Sequence, residues 1–493
     1  MTSPALRAPS PEGMAKKKGK VKIMRISSTM MTHNYLKQLN GSYETYTKLF
    51  EQSDGKKLHR ASDDSVGYSK YLRYQNSLTN VQQFQDDITT AVSWMKNSDA
   101  ALVNVTERMS MFKQKTVAAG NSTNNENDMH DIAKELLASV QEVVADMNAQ
   151  IGDRYLFSGQ SDTTMPFQIS DSKKSRGETK TLSEAQSDYF SDTRLVGGKN
   201  VPTTINQMLK LNGDDGNTYY MNVTTGKVYT KDFVENGYKD KVYEGQTHVQ
   251  DGDAVGTLKI KDDRSGTTST SDWPGSTAVS TYFDKYGVIS EEGSQLNDNE
   301  SEEGKKLSAY IEVDGKNVNI SFATTEQYIV EYKGDPRYIS MVKKTGGIDR
   351  ATDSVNQTGQ DVFGSDIFDS PGLSYSSDKA ASGTAMLNEL LYAVAKIDSG
   401  NNDWAANDGL TISDAAHSQV LGAQTTMAAR QQAYTAASDM LTTQDESITS
   451  DITDVSSTDV AKLATKLMEY QTIYSLSLSV GSKILPGTLA DYL

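Results

Sequence analysis

No proline falls between Pro11 and Pro166, and none between Pro371 and Pro486. Proline removes a backbone donor and clashes with the preceding turn, so long proline-free intervals permit long helices. Both intervals carry apolar residues at heptad spacing. Arms that share one period while lying far apart in sequence are expected to pack against each other. That is the layout of a rod that joins other rods, and not of an enzyme built around a cleft. The expected fold class is mainly α with a β insert. Long N- and C-terminal helices form a coiled-coil-like bundle, and a β-rich variable domain lies between them.

A chain of 493 residues exceeds one ordinary core, which predicts about two to four domains. Apolar residues make up 36% of it, and the arms carry much of that content in helical stripes. The net charge of −16 disfavours general nucleic-acid binding and favours solubility. The chain has no cysteine, which excludes disulfides, thiolate metal sites and cysteine nucleophiles, and suits an extracellular protein. No apolar run approaches the roughly 20 residues of a membrane span. Residues 1–23 carry six basic residues against one acid, Glu12. No apolar stretch follows them, so they read as a disordered basic leader or an upstream-start artefact, not as a signal peptide.

In the N-terminal arm, Ser27 or Ser28 can cap a first helix. Tyr35, Leu39, Ser42, Tyr46 and Leu49 step along it by four and three, with Leu36, Tyr43 and Phe50 beside them. Ser53-Asp54-Gly55 stops this helix. After a short link, Ser62-Asp63-Asp64-Ser65 offers N-caps for a much longer one. Tyr74, Leu78, Val81, Ile88, Val92, Met95, Leu102 and Met109 share its heptad frame, interrupted by Gln85, Asp99 and Thr106. Run to Ala119, it spans about 80 Å at ~1.5 Å per residue. A polar turn follows, then a returning helix marked by Ile132, Leu136, Val140, Val143 and Met147. Arg154 to Gly159, closed by Pro166-Phe167, reads as a hairpin or strand pair at the end of the bundle.

The middle is rich in Gly, Asp, Ser and Thr. Its clearest signal is Asp314-Gly315, which suits a type I′ turn. That turn pairs Val313 with Lys316, Ile311 with Val318, Ala309 with Ile320 and Leu307 with Phe322. Tyr219 to Tyr229 is a weaker hairpin. Helical pattern returns near Thr384 with Met386, Leu387, Leu390, Leu391 and Val394. A loop is expected over Gly400–Gly409. From Ser413 a long helix carries Val420, Ala423, Met427, Tyr434, Leu441, Ile448 and Val455, with Arg430 and Gln444 as flaws in its seam. Ser456 to Asp459 recaps a last helix bearing Val460, Leu463, Leu467, Tyr470 and Tyr474, which Gly481 and Pro486 end.

Motifs that carry chemistry are sparse. His33, His59, His130, His248 and His417 have no metal-ligand spacing between them. There is no Walker loop and no G-x-S-x-G elbow. Ser53-Asp54-Gly55-Lys56 fits S-x-x-K but sits at a helix stop and reads as a turn. Asp63-Asp64 reads as helix capping. Asp361 and Asp366 lack the spacing of a calcium loop. No catalytic, cofactor or metal site is expected. The terminal helices, 28–51 and 458–481, bury only one another, and the apolar surface left over calls for self-association or docking to other subunits.

Several segments stand out in order. They are Met24-Arg25-Ile26-Ser27; Ser53-Asp54-Gly55-Lys56-Lys57 with Ser62-Asp63-Asp64; and Gly152 to Gly159 with Thr163 and Pro166-Phe167. The others are Gly359-Gln360-Asp361-Val362-Phe363-Gly364 and the end, Ser479 to Leu485 through Asp491-Tyr492-Leu493. Together they resemble the flagellin superfamily, and within it the hook–filament junction proteins of the hook-associated protein 3 type. The resemblance covers roughly 24–167 and 355–493. The leader before Met24 departs from it, as does the more basic link Gly55 to Arg60.

The resemblance implies an adaptor at the hook–filament junction of the bacterial flagellum, extracellular and exported unfolded through the flagellar type III channel. Its partners would be an export chaperone, the other hook-associated protein, flagellin subunits and further copies of itself in a ring, with no nucleic acid and no membrane. The subunit interface would use Tyr35, Leu39, Tyr46, Leu49, Leu463, Leu467, Tyr470 and Tyr474. The expected organisation is the leader 1–23, an assembly helix and link 24–61, a helical bundle with hairpin 62–167, a variable β-rich domain 168–375, the returning bundle 376–455 and an assembly helix 456–493. Alternatives are a filament-forming flagellin, an enzyme carried in the insert, and a secreted coiled-coil adhesin.

Overall fold

The structure, a computed structural model, describes residues 28–196, 199–203, 205–298, 306–340, 354–368 and 383–484. The leader, Met24 to Ser27 and the end from Leu485 lie outside them. Six helices dominate: α1 Ser28–Glu51, α2 Ser65–Ala119, α3 Glu126–Met147, α4 Ala385–Asp398, α5 Leu410–Ser456 and α6 Val460–Ile484. The chain forms two compact units, one of residues up to Val81 and from Gln444, the other Gln82–Thr443. The mainly helical architecture with a central β-rich domain follows the sequence expectation.

In the larger unit, α2, α3, α4 and α5 share one core. Met95, Leu102, Val105, Met109 and Phe112 of α2 meet Leu136, Val140 and Val143 of α3, with Val420, Met427 and Tyr434 of α5. α4 lies inside this core, with Leu387, Leu390, Leu391, Tyr392 and Val394 all buried. Two of the three polar interruptions of the heptad frame, Gln85 and Thr106, are paired across the seam. Gln85 Nε2 donates to Thr442 Oγ1 at 2.8 Å, and Thr106 Oγ1 donates to Gln424 Oε1 at 3.1 Å. Polar pairs at such positions set register at some cost in stability. α3 begins on a capping box, in which Asn125 accepts from Asp128 N and Asp128 accepts from Asn125 N.

The expected loop over 400–409 is helical from Asn402 and runs into α5 through a wide turn at Ala405–Gly409. Asn401 Oδ1 caps it on Trp404 N, and Trp404 packs edge-on to Tyr392 at 5.3 Å. Tertiary packing thus overrides the Gly and Asn content. Pro166-Phe167 does not close a hairpin with Arg154 to Gly159. The pair is Gln150–Ile151 with Arg154–Tyr155, whereas Phe167–Ile169 pairs with Val330–Tyr332. The aromatic ring of Phe167 explains this, since it sits between Tyr332 at 5.2 Å and Phe363 at 5.7 Å. The two motifs Gly152 to Phe167 and Gly359 to Gly364 therefore meet, and a Ser158–Thr358 bridge joins them. Gly159, at φ +68°, passes so close to Asp335 that a β-carbon would lie 1.7 Å from its carbonyl oxygen.

The insert is built on a nine-stranded antiparallel sheet. In spatial order its main path runs Gly256–Thr257, Lys227–Thr230, Thr218–Met221, Gln207–Gly213, Lys316–Phe322, Leu307–Val313, Lys259–Asp262 and Ser269–Asp272, and Thr179–Thr181 also pairs with Gln207–Gly213. The Asp314-Gly315 hairpin has the expected register from Val313–Lys316 to Ala309–Ile320, with φ values of 49° and 74° in its turn. The weaker hairpin is also present, with Tyr220 opposite Tyr229. Parts of the sheet are covered on both faces. Leu209, Leu211, Tyr219 and Val228 enter one cluster, and Met208, Tyr220 and Tyr229 the other.

A buried row of charges ties the insert to the bundle. Arg176, Glu178 and Lys180 alternate along one extended segment and so share a face. The Arg176 guanidinium bonds Glu389 of α4 at 2.8 Å and Asp366 at 3.0 Å, under the Phe368 ring. Glu178 accepts from Lys396 and Tyr392 of α4 and from Lys210. Lys180 reaches Asp408 at 2.5 Å. Burial pushes the Glu178 carboxyl up, but Lys210, Lys396 and Thr325 outweigh it and hold it at about 2. Burial raises Asp366, and the neighbouring Glu389 charge adds to this while Arg176 opposes it.

Candidate assembly surface

α1 and α6 form an antiparallel pair in the smaller unit. Tyr35 Oη donates to the Ser477 carbonyl at 2.7 Å, and the rings of Tyr43 and Tyr474 lie 5.7 Å apart. At the other end the link closes the pair. Lys57 N donates to Ser456 O, Thr458 N donates to Gly55 O, and Lys56 bridges Ser457. Asp459 Oδ1 caps α6 on Lys462 N at 3.0 Å. The break between α5 and α6 is thus held by the link that follows α1.

Each of the eight candidate residues lies on the seam of this pair. Leu463 is buried, and Tyr35, Leu39, Tyr46, Leu49, Leu467, Tyr470 and Tyr474 are half-buried. The resemblance assigns them to contacts between subunits; in the chain by itself they also pack α1 against α6, seven of them with part of their surface still open. A second set faces solvent. On α1 it is Leu36, Tyr43 (54% exposed) and Phe50 (60%), seven residues apart. On α6 it includes Met468 (69% exposed), Ile473, Leu476 (60%) and Val480. The seven-residue step of Leu36, Tyr43 and Phe50 was the signal that could have marked them, because a heptad line beside a heptad seam is a second contact face.

In the link, carboxylates bind backbone donors. Gly55 is left-handed at φ 83°, and Asp54 Oδ1 accepts from Lys56 N, so the S-x-x-K segment is a turn. Asp54 is held below its ordinary pKa, first by that backbone donor and then by His59. Asp64 caps α2 on Val66 N and Gly67 N, whereas Asp63 does not cap. Its Oδ2 accepts from His59 N and Arg60 N, which curls the link and lowers the Asp63 pKa. Asp361 closes a capping box with Thr358, and Asp366 serves Arg176. Among the described residues, no group of three or more His, Cys, Asp or Glu side chains could hold a metal ion, and no helix is long and apolar enough to cross a membrane. Gly481 does not end α6 but lies within it, buried against Tyr35.

Residues 26–162 match the family model of the bacterial flagellin N-terminal helical region. The N-terminal arm is flagellin-like. Over 146 residues, 29% of the chain, the sequence is 28% identical to flagellar hook-associated protein 3 of Salmonella typhimurium, covering 46% of that protein. Over 264 residues, 49% of the chain, it is 24% identical to flagellin of Salmonella montevideo, covering 49% of that protein. The chain thus spans about half the length of these relatives. Among solved structures, the flagellar junction protein FlgL from Legionella pneumophila aligns at 12% identity and TM-score 0.29, covering 73% of this chain and 98% of that one. A putative flagellar hook-associated protein from Vibrio parahaemolyticus aligns at 10% and 0.34, covering 80% and 97%.

Proposed function

We propose that this chain is a structural subunit of the bacterial flagellum, acting as an adaptor at the hook–filament junction and assembled through its terminal helices. The observation that carries the reading is the α1–α6 pair. Its seam is closed inside the chain, yet Leu36, Tyr43 and Phe50 on one helix and Met468, Ile473, Leu476 and Val480 on the other remain open to solvent. A heptad line on α1 and an exposed apolar face on α6, Ile473, Leu476 and Val480 with Met468 apart from it, suit a subunit that packs beside further helices. The match of residues 26–162 and the likeness to hook-associated protein 3 support the same reading.

In this reading the exposed lines join the eight seam residues in the contact between subunits. The other hook-associated protein, flagellin and further copies in a ring cover them, and an export chaperone covers them before secretion. The protein is exported by the flagellar apparatus, lies outside the cell, and carries out no catalysis. A filament-forming flagellin is the second reading, because flagellins are similar to about half of the chain. Purified protein should remain short of filaments when incubated with filament seeds and polymerisation-promoting salt. Long filaments of this chain alone would sink the adaptor reading.

A further inference from the structure

We propose that Tyr35 and Gly481 form a key and notch that fixes the register of α1 on α6. The seam of α6 is Leu463, Leu467, Tyr470, Tyr474, Ser477 and Gly481, a strict alternation of four and three. Opposite lies the equally regular line Tyr35, Leu39, Ser42, Tyr46 and Leu49. Leucine and tyrosine repeat on both sides, so apolar burial discriminates weakly between the observed register and one slipped by a heptad. The bonds of the link to Ser456, Ser457 and Thr458 hold the register at one end of the pair, and a local feature holds it at the other.

Gly481 is that feature. It is the seam position of α6 without a side chain, and it is buried. A β-carbon there would lie 2.0 Å from Tyr35 Oη and 2.5 Å from Cζ. The ring therefore occupies the place a side chain would take. Its hydroxyl is also engaged, donating to the Ser477 carbonyl one turn earlier. Moving the ring out of the notch takes the hydroxyl off that carbonyl. Sliding α1 by a heptad, about 10 Å, breaks the bonds of the link to Ser456 and Thr458 and sets Tyr35 against Tyr474, where two rings compete for one place. The register belongs to the chain itself and does not rest on the junction reading.

The chain has no cysteine, so Tyr43→Cys and Tyr474→Cys place two unique thiols at rings now 5.7 Å apart. The full-length double variant, labelled with pyrene, should show an excimer band. Adding Gly481→Ala should cut that band by about fivefold or more, because a heptad slip carries the labels about 10 Å apart. Helical content by circular dichroism should hold. Adding Tyr35→Leu to that variant should restore the band, because the smaller side chain vacates the notch. Helix propensity alone predicts the opposite, since alanine favours a helix over glycine. Four results would overturn the proposal: no excimer in the parent, an unchanged or stronger band with Gly481→Ala, loss of helix instead of slip, or failure of Tyr35→Leu to restore the band.

Discussion

Arg176 has no exposed surface, and its guanidinium is the shared partner of two carboxylates that are themselves buried. Replacing it by methionine keeps the stem and strands Asp366 and Glu389 together. Removing one partner from such a buried cluster costs about 3–5 kcal/mol, and urea unfolding of Arg176→Met should show a loss of that order. Glu178 gives the pH dependence its sign. Its pKa is about 2 when folded against an ordinary 4.5. Its contribution is therefore complete above 4.5 and is lost as pH falls from there toward 2. Asp366 acts in the reverse direction. Its raised pKa gives stability that is lost as pH rises from its ordinary 3.8 toward neutrality. Urea midpoints between pH 3 and 7 should thus lose their acid limb in Glu178→Gln and their upper slope in Asp366→Asn. None of this row was legible in the sequence. Arg176, Glu178 and Lys180 stand on alternate positions of a polar stretch, as solvent-facing charges do, and their partners lie some 200 residues away.

Among the elements, the long helices were legible because each carries a period, a cap and a stop that agree. The Ser62–Ser65 and Ser456–Asp459 clusters fall at the observed start of α2 and between α5 and α6. Asn125 was hidden in a polar turn, although its capping box closes two orphan donors at the start of α3. Asn125→Ala should cost about 1 kcal/mol, measured by thermal unfolding. Strands were legible where one face is open. The Asp314-Gly315 hairpin alternates Ile311, Ile320 and Val318 with Glu312, Asn317 and Asn319. Strand Thr218–Met221 does not alternate, because Tyr219 and Tyr220 are buried in different clusters on opposite faces. Burial on both faces erases the period that sequence reading depends on.

In the whole molecule, the residues that pack α1 on α6 differ from the exposed apolar residues proposed to meet other subunits. Ile473 and Leu476 are exposed on α6, so Ile473→Asp with Leu476→Asp should leave unfolding of the free chain within about 0.5 kcal/mol. The same pair should reduce attachment to isolated hooks strongly, read by pull-down. Leu463→Asp, at a buried seam position, should instead loosen the α1–α6 pair itself. The candidate surface was half legible in these terms. The heptad seam was plain, but which of two apolar lines the chain spends on itself depends on the pairing of α1 with α6, and no local pattern decides that. The central claim, an adaptor and not a filament subunit, is tested most directly by position. Gold-labelled antibody against the insert, viewed by electron microscopy on intact flagella, should mark only the boundary between hook and filament. Labelling along the length of the filament would contradict the account.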